Sequence, residues 1–359
     1  MSTIEPADPS FERGAEGMTT RPTEADRAAA ATLLRMIWGI HISRCVYAVA
    51  ELGIADLLAE GPVSSSELAR ATGSHEPSLY RVLRMLAALR VFEEHDSRTF
   101  GLTAVGERLR RDAPMSMRSW ATFREALGGV RSFEHIVETV RTGKPGFDIE
   151  FGQGVFEFVS QDPQAAAVHD AAMSERTAAF APSVADSYDF SDVRTLVDVG
   201  GGKGTLLAEI LRQHPHLHGM LLEIPLVAAR AGAVLDAIDA DRWEVVAGDF
   251  FERVPEGADC YVMANVLHDW DDLRSIEILS NCRRAMATGG RVLIVERLIP
   301  EDGGDPVPTL LSDINMLVIT GGQERTKAEY GKLLEAAGLR LGKIEPVTFP
   351  YGVIEGFAA

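Results

Sequence analysis

The chain has 359 residues, 46% of them hydrophobic and 25% charged, with a formal net charge of −18. That length exceeds what one hydrophobic core serves and implies about two domains, in a composition typical of globular proteins. So acidic a surface repels phosphate backbones and anionic lipid, which argues against nucleic acid and membrane as partners.

Residues 1–26 are polar, mixed in charge and without the apolar core of a signal peptide. They read as a disordered tail and point to the cytoplasm. No uninterrupted apolar run reaches the roughly 18–20 residues that span a bilayer. From Arg27 to Glu60 the pattern is helical, and Leu33, Leu34, Met36, Ile37, Trp38 and Ile40 cover nearly the whole circumference. A helix apolar all round must be covered. At the start of a domain the expected cover is a second copy of the chain, so a homodimer is predicted. Cys45, Cys260 and Cys282 are odd in number and scattered; Cys45 and Cys260 read as reduced core thiols.

Residues 61–111 carry a cap at Ser64 with Glu67 placed for a capping box, then a turn at Gly73 and a helix over Glu76–Leu89. Two short strands follow around His95–Arg98. The pattern is a winged helix-turn-helix. It serves DNA binding in a transcription regulator, or a scaffold that pairs subunits. With Arg81, Arg84 and Arg90 as the second helix's only cations in an acidic chain, the scaffold reading of residues 27–114 is preferred. Residues 115–190 look helical, with a loop around Gly143–Gly154 and many aromatics; they read as a linker and a pocket region.

Over residues 191–359 strand-like runs alternate with helices: TLVDV, then 204–213; HGMLLE, then 226–238; RWEVVAGD; DCYVMAN, then 273–287; RVLIVE, then 309–320 and 327–337. The pattern predicts an α/β domain with a mostly parallel sheet covered on both faces. LRLGKIEPVTF and YGVIEGF have no helix between them, so the last pair is expected to be antiparallel.

Ligands of an open α/β sheet bind beyond the carboxyl ends of its strands. Read in turn, those ends carry Asp198 with the loop from Gly200 and Gly202 to Lys203 and Gly204, then Glu223, then Gly248-Asp249-Phe250, then His268, then Glu296. Glycines let a backbone approach a ligand closely, and the following helix N-terminus adds partial positive charge. The spacing is neither the dinucleotide fingerprint nor a phosphate loop. Glu223 suits the two hydroxyls of a ribose, Asp249 an exocyclic amine and Phe250 a flat base. S-adenosylmethionine, cationic at sulfur and without phosphate, fits this set better than NAD.

His268 is the side chain on this rim with an unperturbed pKa near neutrality. Glu296 is placed to accept from one imidazole nitrogen, leaving the other as a base. Glu324, in GGQERT, reads either as a second flanking carboxylate or as a solvated acid beside the capping box Thr326…Glu329. Asp269 and Asp271 read as helix N-terminal acids. Trp120, Phe123, Phe156, Met173, Asn265, Asn315, Met316 and Ile319 are candidates for an apolar slot that takes a flat aromatic, with half of them expected to be plain core. His214, His216 and His218 fall at the opposite end of the sheet and read as a solvated loop, so no metal is expected.

LVDVGGGKGTLL, LLEIP, GDFF, VLHDWDD, the strand to Glu296 and GGQERT resemble, in order and separation, the S-adenosylmethionine-dependent small-molecule O-methyltransferases. That group includes plant caffeic acid and flavonoid enzymes and bacterial enzymes of polyketide, phenazine and mitomycin tailoring. The resemblance covers roughly residues 27–357. It implies a Rossmann-like class I methyltransferase domain with a seven-stranded sheet, preceded by a winged-helix dimerisation domain. It implies His268 as general base, Glu296 and Glu324 as its flanking acids, and Asp198, Gly200, Gly202, Glu223, Asp249 and Phe250 around the cofactor. Two departures stand out: Glu223 replaces the aspartate usual in plant members, and Ala264 replaces a lysine common there. Glu223, one methylene longer, should still reach the ribose. The bacterial branch varies at the position of Ala264, which favours a bacterial tailoring enzyme, and the acceptor expected is a phenolic hydroxyl. The competing readings are a family member that binds the cofactor yet hydroxylates or rearranges a polyketide, and a winged-helix regulator.

Overall fold

The structure, a computed structural model, describes residues 21–301 and 303–358. Most of the tail expected over residues 1–26 lies outside the described residues. Its end does not fit the expectation, because a helix begins at Glu24. The cause is local: Thr23 Oγ1 accepts from the Asp26 amide at 3.1 Å while the Asp26 carboxylate accepts from the Thr23 amide at 2.7 Å, a capping box.

The helix Glu24–Ile37 buries no residue within the chain, and a second helix, Gly39–Glu51, follows directly after Trp38. Met36 is 71% exposed, Ile37 62% and Trp38 54%. Counted as one segment, Glu24–Glu51 is long and apolar enough to cross a bilayer by length and composition, with 11% of its most apolar window buried. Interruptions such as Arg35 hid this from a search for uninterrupted runs. Its second half packs into the protein: Val49 and Ala50 join a core with Leu68, Leu83, Phe92 and Phe100, and Arg44 pairs with Glu125.

Ser64 and Glu67 form the expected capping box of the helix Ser65–Thr72, which Gly73 ends at φ +66°. The helix Glu76–Ala88 leads to a small antiparallel sheet of β1 (Val63–Ser64), β2 (Phe92–His95) and β3 (Thr99–Leu102), in the order β1-β3-β2. Only the two-residue β1 was absent from the sequence reading. In the region expected as a loop around Gly143–Gly154, residues Gly146–Phe151 form a helix. Phe147 is buried there against Phe151 and Phe158. The long helix Pro163–Ser187 starts from an Asp162 cap and links this layer to the sheet domain.

The large sheet comprises β4 (Thr195–Val199), β5 (His218–Glu223), β6 (Trp243–Ala247), β7 (Cys260–Ala264), β8 (Arg291–Ile299), the two-residue β9 (Arg325–Thr326), β10 (Leu339–Pro346) and β11 (Tyr351–Ala358). Its seven-strand path runs β10-β11-β8-β7-β4-β5-β6, and β9 pairs with the end of β8. β4 to β8 are parallel where they pair; β11 is antiparallel to both β8 and β10. Alternation puts Leu196, Val262, Leu293 and Val295 in one core and Val197, Val199, Tyr261, Met263, Val292 and Ile294 in the other. Both faces are therefore apolar, as a helix-covered parallel sheet requires. The order reverses at β4, between β5 and β7, which makes its carboxyl end the topological switch point.

Several expectations shift. The helix expected over 226–238 is only Pro225–Ala228, followed by a single 3-10 turn at Leu235–Ala237; Gly232 at φ +104° interrupts it. β4 runs one residue past Asp198 and β8 three past Glu296. β7 stops at Ala264, so His268 sits on a turn and not on a strand end. In the loop expected to be solvated, His216 is exposed and His214 half-buried, and their Nε2 atoms lie 3.0 Å from the carbonyls of Phe190 and Ala185, respectively. The three cysteines are free; Cys260 and Cys282 are buried, Cys45 half-buried.

The uncovered apolar surface at residues 33–40 should be the contact between two copies. A double variant Ile37→Glu/Ile40→Glu is expected to halve the particle mass seen by light scattering while the core stays folded. A wild-type mass equal to one chain would contradict this.

Candidate active site

The glycine loop after β4 exists because of what lies beneath it. Gly200, Gly202 and Gly204 have φ of +67°, +61° and +84°, conformations that other residues adopt at a cost. At Gly201 a Cβ would meet Asp198 Oδ2 at 2.3 Å. Asp198 is fully buried, and neither carboxylate oxygen has a hydrogen-bond partner among the described residues. Burial, reinforced by the nearby Glu223, pushes its carboxyl up to about 7. Glu223 Oε1 accepts from the Gly202 amide at 2.8 Å and Oε2 from the Ile224 amide at 3.0 Å. Burial raises this acid as well. On the next strand end, Asp249 Oδ1 accepts from the Phe251 amide at 2.8 Å. Phe250 meets Phe251 and Trp270 edge-on and lies against Gly200.

The turn after β7 is built around two buried charges. Asn265, at φ +53°, swings the chain off the strand. The next three amides, of Val266, Leu267 and His268, all donate to Glu296 Oε1, at 3.0, 3.0 and 3.3 Å. From the other side Arg325, 1% exposed, donates to the carbonyls of Leu267 at 3.1 Å and Trp270 at 2.9 Å. The result is a 3-10 turn, Leu267–Asp269, with His268 almost wholly buried.

His268 Nδ1 lies 3.1 Å from Glu324 Oε1, which also accepts from Ser312 Oγ at 2.7 Å. Glu296 Oε2 is farther from the same nitrogen, at 3.5 Å. The partner expected for the imidazole, Glu296, thus holds the backbone, and Glu324 holds the ring. Burial alone would push the imidazole down; Glu296, Glu324 and Asp269 outweigh it and keep the pKa above the ordinary histidine value. Burial drives the Glu296 carboxyl up. For Glu324 burial is overcome by the imidazole, Ser312 and Arg297, and the group stays below the usual glutamate range. One atom from each of these three residues falls within 4.8 Å of the others, a donor set that metals also use. The 3.1 Å Nδ1–Oε1 separation is that of a hydrogen bond.

His268 lines a cavity of about 480 Å³ that the two glutamates only back. Asp198, Gly200, Gly202, Glu223, Asp249 and Phe250 border the same cavity, as do all eight slot candidates. Trp120 stacks on Phe123 at 5.4 Å and Phe156 on Trp270 at 5.7 Å. Met316, at 6% exposure, is the most core-like of those not already polar. The sequence reading missed several polar residues. Asp170 and Arg230, joined at 3.1 Å, and Arg176 line the cavity; Arg325 supports its turn. Asp170 and Arg176 were visible only as charges in an otherwise alanine-rich helix.

A sequence profile of the O-methyltransferase domain matches residues 133–340, and one of the O-methyltransferase dimerisation domain matches 34–112. The chain is 41% identical to a phenazine O-methyltransferase of Lysobacter antibioticus over 93% of this chain and 98% of that protein. The structure of a mitomycin 7-O-methyltransferase superposes with a TM-score of 0.86 at 38% identity, covering 93% of this chain and 99% of that one. An O-methyltransferase from neocarzinostatin biosynthesis, solved with S-adenosylmethionine and 2-hydroxy-5-methyl naphthoic acid, gives 0.76 at 35% identity over 88% and 96%.

Replacing Glu296 by leucine leaves three buried amides without an acceptor, at about 1–3 kcal/mol for each unsatisfied group. Glu296→Leu is expected to lower the urea unfolding midpoint clearly more than Glu296→Gln, which keeps an acceptor oxygen. Equal losses would show that the amide contacts do not matter.

Proposed function

The chain belongs to the S-adenosylmethionine-dependent O-methyltransferases, and from that premise we propose that its acceptor is a phenolic hydroxyl of an aromatic secondary metabolite and that His268 is the general base. One observation carries the reading: a buried imidazole whose Nδ1 is tied to Glu324 borders a cavity whose wall includes Trp120, Phe123, Phe156 and Trp270. In this assignment residues 27–114 pair two copies, 115–190 close the cavity and 191–359 hold the cofactor.

The bound cofactor supplies a methyl group on a cationic sulfur. The residues fit it: Asp198 presents unpartnered buried oxygens, and Glu223 retains lone pairs beyond its two backbone contacts. Gly200 and Gly202 would keep the loop close, and Asp249 and Phe250 would receive the adenine amine and ring. A sulfonium is the kind of charge that unpartnered carboxylates accept.

His268 then has a defined task. With Nδ1–H donated to Glu324, the neutral ring keeps the Nε2 lone pair for the acceptor's proton. A phenol of pKa near 10 is ionised to about one part in a thousand at neutral pH, so forming the phenolate is worth up to roughly 4 kcal/mol. A positioned base contributes about 10²–10⁴-fold, which covers most of it. When the proton arrives, the imidazolium faces Glu324 and Glu296, both already in place. The proposed slot of Trp120, Phe123, Phe156, Met173, Asn315, Met316 and Ile319 would align a flat ring, and Asn265 a polar substituent.

His268→Ala is expected to lose at least about a hundredfold in turnover with cofactor affinity retained, read as S-adenosylhomocysteine release on a panel of phenols beside a cofactor titration. Turnover close to wild type would remove the base role. Cofactor binding with no release from wild type on any phenol would instead favour a relative that hydroxylates or rearranges its substrate.

The pH profile tests Glu324. The base acts deprotonated and its pKa is raised, so the rate should climb through a limb above the ordinary histidine value. Glu324→Gln removes one of the charges that raise it, and the limb should move to lower pH. A limb that stays or moves up contradicts the assignment.

A further inference from the structure

Two buried hydrogen-bond donors in the cavity wall have nothing to donate to. The first belongs to Arg176, on the helix Pro163–Ser187. Its Nε is out of solvent and without an acceptor among the described residues. No carboxylate among them lies within salt-bridge distance of its guanidinium, whose carbon sits 5.8 Å from the centre of the Trp120 ring. The second is Asn265. Its Oδ1 accepts from the Tyr351 hydroxyl at 3.2 Å, which fixes the amide's orientation, and Nδ2 is left buried and unpartnered. Buried donors are nearly always satisfied, and an exception asks for a reason.

The two lie in one region. The guanidinium charge acts on both the Tyr351 hydroxyl, which holds Asn265, and Asp269, which adjoins His268. Asp269 is an acid that lines the same cavity, and burial pushes its carboxyl up. The wall near Trp120 and Phe123 also carries Arg124, a second guanidinium lying over the Phe133 ring at 4.9 Å, and His169, whose ring lies 5.9 Å from that of Phe123. A permanent cation and a fixed amide N–H, both facing an aromatic slot, match a planar anionic acceptor. Guanidinium and carboxylate geometries are complementary in this way.

We propose that Arg176 and Asn265 form a subsite for a carboxylate carried by the aromatic acceptor, on the flank of the ring beside the hydroxyl that His268 addresses. This rests on the reading that the cavity next to His268 holds the acceptor. Arg176 is a specificity residue in it: the carboxylate satisfies its charge and fixes the ring's orientation, so that one hydroxyl faces Nε2.

The test is calorimetric titration of the full-length protein saturated with S-adenosylhomocysteine. The ligands are matched sets: hydroxybenzoic and hydroxynaphthoic acids, their carboxamides, and the phenols and naphthols without the substituent. At least one acid should bind about 10–100-fold more tightly than its unsubstituted partner, the range of one charge-assisted contact. Arg176→Met should collapse that ratio, and Arg176→Lys should restore part of it. Thermal midpoints and cofactor affinity of both variants report whether the site remains folded. If no acid outbinds its partner, including binding by neither, the proposal falls. It falls equally if Arg176→Met keeps the ratio. A carboxamide that binds as well as its acid overturns the anionic subsite in favour of a neutral carbonyl. Because binding is read without methyl transfer, failure of the base assignment leaves these ratios unmoved. Methyl transfer to unsubstituted phenols without any acid preference would overturn the subsite alone.

Discussion

Glu296 Oε1 collects the amides of Val266, Leu267 and His268, and the geometry of the catalytic candidate depends on that contact. β7 ends beside β8, with Ala264 in register with Val295, so the residue after Val295 meets the residues after Ala264. A turn there would otherwise bury three unsatisfied donors. One carboxylate satisfies them, and Arg325 satisfies the carbonyls of Leu267 and Trp270 on the other side. The turn is thus held between an acid from β8 and a base from β9, strands that pair through Leu298 and Arg325. Neither charge makes a simple ion pair with the other. Glu296 works through backbone dipoles, and Arg325 through backbone carbonyls together with an ion pair to Asp272 at 2.9 Å, which explains how two ionisable groups are kept so deep in a sheet domain.

The same arrangement sorts the roles of the two glutamates. Glu296 is committed to the backbone and is driven up by burial; Glu324, with Ser312 and Arg297 nearby, stays low and meets the ring. A carboxylate at Nδ1 that keeps its charge fixes the tautomer and holds the imidazolium once formed. Elsewhere in the cavity Asp198, Glu223 and Asp249 lie at the ends of β4, β5 and β6, where a cationic cofactor is proposed, with Lys203 in the glycine loop beside them. Arg176 comes from the helix Pro163–Ser187, on which Asp170 is already paired with Arg230.

The rim was legible in the sequence because strands announce their own ends. Asp198, Glu223 and Asp249 each lie in or just after a short, nearly continuous apolar run, and the switch-point rule collects such residues wherever helices return the chain. His268 was legible as chemistry but not as geometry: three residues separate it from Ala264 at the end of β7, and the contacts of Glu296 and Arg325 explain their path. Glu324 was ambiguous because Thr326 and Glu329 do form the capping box that its alternative reading required; what turned it inward was pairing of β9 with β8, a nonlocal fact. The helix expected over 226–238 failed at Gly232, where a positive φ outweighed the alanine-rich pattern. Arg176 and Asp170 were hidden for the opposite reason. A charge in an alanine-rich helix looks solvated until the packing of that helix on its neighbours is known.

That packing also ties the N-terminal layer to the chemistry. The helix Arg118–Ala126 turns Ala121 into the N-terminal core while Trp120, Phe123 and Arg124 face the cavity. Glu125 on the same helix pairs with Arg44 of Gly39–Glu51. An exposed pair of this kind contributes about 0–1 kcal/mol, so apolar packing and not the ion pair must fix the helix. The first N-terminal helix, Glu24–Ile37, buries no residue within the chain, while the second packs into the core through Val49 and Ala50. A second copy that covers the first helix would also steady the wall bearing Trp120 and Phe123, 80 residues along the chain. Dimerisation and acceptor binding would then draw on one helical layer.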